Sequence, residues 1–196
     1  MVRNILLLLT VLMPVAMAAP PNWSGPYVPC NRHSDLLSHG HMDLGVKFST
    51  SNAELVRQFE HAMDFWAGIL DFEWHEVDSQ DCSIQLVDGS PLLFAMGDGC
   101  GCVAARSQYP DRADFQGLIA FNPAVRFTGN ELFLDSVHEI GHLFGLPHNP
   151  SSSSVMFFSD FDQDVCLDAA DLEVLAARHK LRPGIFVDRA LAVAAQ

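Results

Sequence analysis

The sequence predicts an α/β (α+β) fold, in which a twisted mixed sheet packs against helices and a small C-terminal subdomain follows. Two segments carry apolar residues at the three- and four-residue steps of amphipathic helices. Short apolar runs bounded by Gly, Pro, Asp or Asn lie between them and predict strands. A chain of 196 residues buries one core of ordinary size, so we expect one main domain.

The N-terminus has the pattern of a secretory signal peptide. Arg3 precedes an apolar run, and Ala16-Met17-Ala18 has the small-x-small pattern of a cleavage site. The run is shorter than the roughly 20 residues that span a bilayer. We therefore expect a secreted, extracellular protein with a signal peptide over 1–18, an extended segment over 19–43, the main domain over 44–182 and a C-terminal tail over 183–196.

The chain is acidic. Its formal net charge is −13, and removal of residues 1–18 takes away Arg3 alone and leaves −14. Phosphate backbones and anionic lipids attract Lys/Arg patches, so this charge disfavours nucleic acid and membrane surfaces as partners. We expect a monomer.

The five cysteines predict disulfides rather than a cysteine-based metal site, because no CxxC pair occurs. In an exported protein we expect two disulfides and one remaining thiol, with the pairing left open. The positions are Cys30, Cys82, Cys100, Cys102 and Cys166.

The first helix is predicted from Ser51 to about Leu70, with Ser51 and Glu54 forming a capping box. Before it, residues 46–48 predict a strand. Further strands are predicted at residues 72–74, 83–87, 92–96 and 118–121. Residues 97–116 predict a long loop that contains one edge strand at most.

The second helix is predicted to begin near Asn130 and to carry His138 and His142. Histidines four residues apart leave the same face of a helix, so two imidazole nitrogens can reach one metal ion. Gly145 sits where a glycine ends a helix by adopting positive φ, and it lets the chain turn back under the metal.

A catalytic zinc site needs three protein ligands and an open position for water. His148, three residues after Gly145, is placed to be the third ligand. Glu139 follows the first histidine and can act as the general base for a metal-activated water. The motif therefore predicts a catalytic zinc centre.

The segment from His138 to His148 resembles the zinc-binding motif of the metzincin metallopeptidases. Ser154-Val155-Met156 resembles the Met-turn of that clan, and the order of segments after it is similar to that of the matrixins, over roughly residues 44 to 182. The resemblance implies a zinc metalloendopeptidase that acts on protein or peptide substrates and has a metzincin-like domain, with Met156 as an apolar floor beneath the histidines.

Phe157 lacks the hydroxyl that astacin-like and serralysin-like enzymes place near the metal. A tyrosine ligand is therefore not expected, and the resemblance implies a site of three histidines and water. A peptide substrate is expected to pair with the edge of the sheet along part of residues 99–108.

A third helix is predicted from Ala169 to Lys180, with Asp168 as N-cap. The acids at 160, 162, 164, 168 and 171 have the spacing of a calcium loop, but Val165 stands where that loop needs glycine. We favour helix capping for the last two acids and keep Ca²⁺ as an alternative.

Two other functions remain open. One is a secreted zinc-binding or adhesion protein with this fold and no turnover, which would have no need of Glu139 as a base. The other is a zinc hydrolase that acts on a different amide or ester, since the same activated water serves those reactions.

Overall fold

The computed structural model describes residues 22–95, 103–158 and 166–185. Within them a 3-10 helix (His33–Leu37) precedes five strands and four α-helices. The strands are β1 (Met42–Ser49), β2 (Phe72–Glu76), β3 (Ile84–Asp88), β4 (Ala105–Ser107) and β5 (Leu118–Phe121). The helices are α1 (Ala53–Ala67), α2 (Pro91–Ala95), α3 (Gly129–Leu143) and α4 (Ala169–Arg178).

The sheet has the strand order β2-β1-β3-β5-β4. The pairs β1–β2, β1–β3 and β3–β5 are parallel, whereas β4 runs antiparallel to β5 at the edge. This arrangement confirms the predicted mixed sheet. The edge strand β4 lies within residues 97–116, which were predicted to be a long loop with one edge strand at most.

The N-cap of helix α1 lies one residue later than the predicted N-cap, Ser51. Asn52 is the N-cap, and its side-chain oxygen accepts a hydrogen bond from the Leu55 amide. The Ser51–Glu54 capping box is therefore wrong, because a neighbouring asparagine is an equally good cap and takes the position. Glu54 instead pairs along the helix with Arg57 and Gln58.

Residues 92–96 do not form the predicted strand. Residues 91–95 are the short helix α2, and Met96 lies outside the described residues. Pro91 stands at the first helical position, and the Ser90 hydroxyl accepts a hydrogen bond from the Leu93 amide. A short apolar run alone does not distinguish a buried strand from a buried helix.

The main core lies between one face of the sheet and helices α1 and α3. Ile119 and Phe121 of β5 point into it, together with Trp66 and Phe59 of α1. Leu118 and Ala120 alternate to the opposite face, as side chains of a strand must. A second, smaller core covers that face, and Trp23 and Tyr27 of the N-terminal segment pack against it.

Cys30 forms a disulfide with Cys82, and this bond joins the N-terminal segment to the residues just before β3. One of the two expected disulfides is thus present, between cysteines whose pairing the sequence left open. Cys166 is an exposed free thiol. Cys100 and Cys102 lie outside the described residues, as do the predicted signal peptide over 1–18 and most of the predicted tail.

Among the residues that the structure describes, none of the helices has the length and apolar character that crossing a bilayer demands.

Candidate metal centre

Helix α3 presents the two motif histidines from its buried face. Thr128 is its N-cap, and a capping box with Glu131 fixes its first turn. Val137 and Ile140 are buried against the sheet side, and the Trp66 indole donates to the Val137 carbonyl at 3.0 Å. The helix is thus held in position by its cap and by α1.

The chain leaves α3 at Gly145, whose φ of 88° lies in the left-handed region that favours glycine. The amide of Gly145 donates to the His142 carbonyl and that of Leu146 to the Gly141 carbonyl. These two hydrogen bonds satisfy carbonyls at the end of the helix and reverse the chain toward His148.

The three motif histidines converge. Their ring centroids are 4.7 Å apart for His138 and His142, 4.8 Å for His142 and His148, and 5.3 Å for His138 and His148. One ring nitrogen of each lies within 4.8 Å of those of the other two. The structure therefore brings the predicted ligands into one cluster that can hold a metal ion.

The second nitrogens of two of these rings are fixed by backbone carbonyls. Nδ1 of His138 donates to the Val155 carbonyl at 2.6 Å, and Nδ1 of His142 donates to the Leu146 carbonyl at 2.7 Å. Because a carbonyl can only accept, each Nδ1 carries the proton, and in the neutral ring Nε2 presents its lone pair. This tautomer and orientation suit a metal ligand.

Desolvation favours the neutral forms of the three histidines. It lowers the pKa of His142 to about 3 and lowers that of His138, where the hydrogen bond to Val155 partly opposes the effect. Desolvation and the neighbouring His138 lower the pKa of His148, which is the exposed member. Neutral imidazoles bind a cation without first losing protons.

Glu139 is buried beside the cluster, under the edge strand. The Ser107 hydroxyl of β4 donates to its Oε2 at 2.5 Å. Burial raises the pKa of Glu139 to about 7, although the Ser107 hydrogen bonds oppose this shift. A carboxyl group poised near neutral pH has the proton affinity of a general base.

Met156 lies against α3 with no exposed surface. A methyl group added at Gly141 would come within 2.6 Å of the Met156 sulfur and 3.1 Å of Trp66 Cζ2. Because Gly141 has no side chain, Met156 can pack against α3 at a point between His138 and His142. The resemblance to the metzincins implied a place for Met156 beneath the histidines, whereas no role was predicted for Gly141.

A buried carboxylate, Asp171, ties the third histidine to the Met156 turn. Its two oxygens accept hydrogen bonds from the Asn149 amide group at 2.9 Å and the Ser154 hydroxyl at 2.7 Å. It also completes a capping box with Asp168, which confirms Asp168 as the N-cap of α4. Asp171 thus serves these contacts, and residues 159–165 of the suggested calcium loop lie outside the described part.

Tyr109 also reaches the centre, and sequence reasoning missed it. Its hydroxyl lies 3.4 Å from His142 Nε2, and the two rings are 4.8 Å apart between centroids. Burial and the nearby Glu139 raise the pKa of Tyr109 to about 12. No spacing rule connects residue 109 to the histidine motif, since only the folded sheet brings them together.

The N-terminal segment occupies the outer edge beside β4. The Asn22 side chain accepts from the Tyr109 amide at 2.9 Å and donates to its carbonyl at 3.0 Å. The Trp23 indole donates to the Ser107 carbonyl at 3.1 Å, and Gln108 donates to the Trp23 carbonyl. The Ser107 carbonyl and the backbone amide and carbonyl of Tyr109 thus already have partners.

A mixed five-stranded sheet with an antiparallel edge strand lies over α3, which carries His138 and His142. The turn at Gly145 brings His148 to the same cluster. Fold and site together define a metallopeptidase domain of the metzincin class. The family model of the matrixins, peptidase family M10, matches residues 43–178, and the chain belongs to this family.

Curated relatives share this region at low identity. The chain is 30% identical over 111 residues to macrophage metalloelastase of Rattus norvegicus, covering 50% of the chain and 22% of the relative. It is 28% identical over 108 residues to matrix metalloproteinase-26 of Homo sapiens, covering 50% and 39%. Stromelysin-2 of Rattus norvegicus is 27% identical over 134 residues, covering 63% and 28%. The chain thus matches less than two-fifths of each relative's length.

Proposed function

We propose that this protein is a secreted zinc-dependent metalloendopeptidase that hydrolyses peptide bonds in proteins. The observation that carries the proposal is the convergence of three histidine nitrogens beside a buried glutamate, with two of the rings fixed by carbonyls. Membership of the matrixin family and the similarity to matrix metalloproteinases support zinc and peptide substrates.

The donor set fits zinc. Three neutral imidazoles are the ligands of one well-known class of catalytic zinc site, which keeps a further position open for water or substrate. His138, His142 and His148 would hold the ion. The carbonyls of Val155 and Leu146 orient two of the rings, as second nitrogens of metal-binding histidines commonly require.

Glu139 would move the proton. When bound, zinc supplies a Lewis acid that polarises the scissile carbonyl and activates water. The Glu139 carboxylate accepts the proton of the attacking water and then delivers it to the leaving amine nitrogen. Ser107 holds that carboxylate in place under the edge strand.

The N-terminal segment restricts where a peptide can pair with the sheet. The expected pairing along residues 99–108 needs outward backbone groups, and the Ser107 carbonyl is bonded to Trp23, while the amide and carbonyl of the nearby Tyr109 are bonded to Asn22. A peptide can therefore add to this edge beside Ala105, or beyond it once the N-terminal segment is displaced. Residues 99–102 lie outside the described part.

Export is part of the proposal. The pattern of residues 1–18 is that of a signal peptide, and the Cys30–Cys82 disulfide suits the oxidising compartments in which such bonds persist. We propose that the exported protein acts as a monomer.

The test is digestion of casein by the zinc-loaded protein beside its Glu139→Gln variant and a chelated sample. Loss of a general base typically costs about 10²–10⁴-fold in rate, and we expect a fall of that size in kcat with zinc affinity retained. Chelation should abolish cleavage and added zinc should restore it. A zinc-loaded wild type that cleaves no protein or peptide would refute the proposal and favour a zinc-binding protein without turnover.

A further inference from the structure

The side chain of Tyr109 contacts the histidine cluster through His142. Tyr109 lies two residues beyond Ser107, the last residue of the edge strand β4, and the side chains of both residues point toward α3. Ser107 meets Glu139, and Tyr109 meets His142. Glu139 and His142 are three residues apart on α3 and share a face one turn apart, so each of the two contacting side chains meets one functional residue of the helix.

The backbone of Tyr109 is held on the other side by Asn22. One carboxamide binds both the amide and the carbonyl of Tyr109, at 2.9 and 3.0 Å. The preceding residue is fixed as well, because the Gln108 amide donates to the Leu118 carbonyl of β5 at 3.1 Å. The backbone that carries the phenol is therefore held by Asn22 on one side and by β5 on the other.

The hydroxyl lies at a distance that suits contact with whatever occupies the open metal position. Nitrogen ligands lie about 2.1 Å from zinc, and two ligands of a tetrahedral ion are then about 3.4 Å apart. The oxygen of Tyr109 is 3.4 Å from His142 Nε2. A hydroxyl at that separation from one ligand nitrogen can reach a group that an ion held by the histidines would bind.

We propose that Tyr109 is a further catalytic residue, whose hydroxyl donates a hydrogen bond to the carbonyl oxygen of the scissile peptide. The inference rests on the proposed peptidase function and adds a second protein group to its chemistry. Negative charge develops on that oxygen when water attacks, and a donor fixed in advance stabilises it more than it stabilises the substrate. A phenol has one proton for this purpose and keeps it throughout.

Tyr109 and Glu139 then have separate tasks. Glu139 accepts and delivers the proton of the water, whereas Tyr109 transfers none. Ser107 is a positioning residue, because it contacts the carboxylate of Glu139 and acts through it.

The kinetic test compares Tyr109→Phe with Tyr27→Phe. The first change removes the hydroxyl and keeps the ring against His142. The second removes the other tyrosine hydroxyl of the chain, which donates to the Asp88 carbonyl at 2.7 Å away from the centre. We expect Tyr109→Phe to lose about 100-fold in kcat and in kcat/KM, as for the loss of one oxyanion donor, and Tyr27→Phe to match the wild type.

Zinc affinity, measured by competition with a chromophoric chelator, should be the same in Tyr109→Phe and wild type. A Tyr109→Phe protein with wild-type kcat would overturn the inference. So would a variant that loses zinc together with activity, because the hydroxyl would then hold the metal rather than act on the substrate.

A spectroscopic test does not depend on turnover. In the Tyr27→Phe protein Tyr109 is the only tyrosine, so ¹³Cζ-tyrosine labelling gives one resonance. We expect Zn²⁺ to shift that resonance with the same midpoint as metal binding. A protein that binds zinc and cleaves peptides while this resonance stays unchanged would refute the role of Tyr109 alone, whereas failure to bind zinc would refute the proposed function itself.

Discussion

Gly141 lies between the two histidines of α3, and its lack of a side chain shapes the floor of the centre. The Met156 sulfur and the Trp66 ring fill the space where a methyl group would stand. The close fit links the packing of the core to the position of the histidines, because Val155, the neighbour of Met156, holds His138 through its carbonyl.

We predict that Gly141→Ala destabilises the protein. In an ordinary helix interior this change stabilises by roughly 0.5–1 kcal/mol, since alanine loses less entropy on folding. Here the added methyl would lie 2.6 Å from Met156 Sδ, and overpacking of this kind costs about 1–3 kcal/mol. The free energy of unfolding in urea, measured without metal, checks the sign.

Gly40→Ala is the matched control for Gly141→Ala. The added methyl of Gly40 would meet only the Ser38 hydroxyl, at an ordinary 3.6 Å. We expect a change within about 0.5 kcal/mol there. Equal effects at the two glycines would contradict the packing argument.

Local spacing made the histidines predictable, but not their neighbours. His138, Glu139 and His142 lie within five residues of one helix, and a helical repeat alone places them together. Ser107 ends β4 and Tyr109 lies two residues beyond it, and each is more than thirty residues before the α3 residue that it contacts. Their contacts depend on how the edge strand lies over α3, which no local pattern encodes.

Helix α4 stabilises the metal centre from outside. Its first turn carries Asp171, whose carboxylate binds Asn149 and Ser154 on either side of the loop between His148 and Met156. At its other end the Arg178 guanidinium forms a bidentate pair with Asp111 and packs against Gly145. The C-terminal subdomain thus braces both the loop after α3 and the segment after β4.

We predict that Asp171→Ala costs about 3 kcal/mol in stability. Two buried donors, the Asn149 amide group and the Ser154 hydroxyl, would lose their acceptor, and each unsatisfied group costs about 1–3 kcal/mol. Because the loop that carries His148 would loosen, zinc affinity should fall about 10–100-fold. Chelator competition and denaturant unfolding measure the two effects.

The control for Asp171→Ala is Asp78→Ala, at an exposed carboxylate between β2 and β3. It should leave both zinc affinity and stability unchanged. An Asp171→Ala protein with wild-type zinc affinity would show that α4 does not support the third histidine.

At the scale of elements, the sequence predicted those with strong periodicity or caps. α1, α3 and α4 were predicted because their apolar repeats span several turns. α2 was mistaken for a strand because five residues carry too little periodicity, although Ser90-Pro91 is a helix-start pair. The antiparallel direction of β4 follows from its pairing with β5, which lies beyond any local pattern.

The disulfide joins the N-terminal segment to the body of the molecule. Cys30 and Cys82 are 52 residues apart in sequence, and both are buried. In the chain-entropy account a cross-link of this span stabilises by about 4 kcal/mol, because it restricts the unfolded chain. The loop that it closes contains β1, α1 and β2.

We predict that replacing both Cys30 and Cys82 with serine lowers the free energy of unfolding by about 2–4 kcal/mol. Denaturant titration measures the change, and Cys166→Ser, at the exposed free thiol, should leave it unaffected. Reduction of the wild type should likewise destabilise the protein rather than activate it, because Cys30 is bonded to Cys82. An increase in activity on reduction would contradict this.

The Cys30–Cys82 disulfide also affects how easily a peptide can displace the N-terminal segment from the sheet edge. Trp23 lies seven residues before the anchored Cys30, so its indole and the Asn22 carboxamide bind Ser107 and Tyr109 as tethered partners. A short flexible tether gives an effective concentration of about 1 mM. A peptide that needs the Ser107 carbonyl must outcompete a partner that cannot diffuse away, whereas a single cut between Trp23 and Cys30 would dilute that partner into the surrounding solution and leave the edge open.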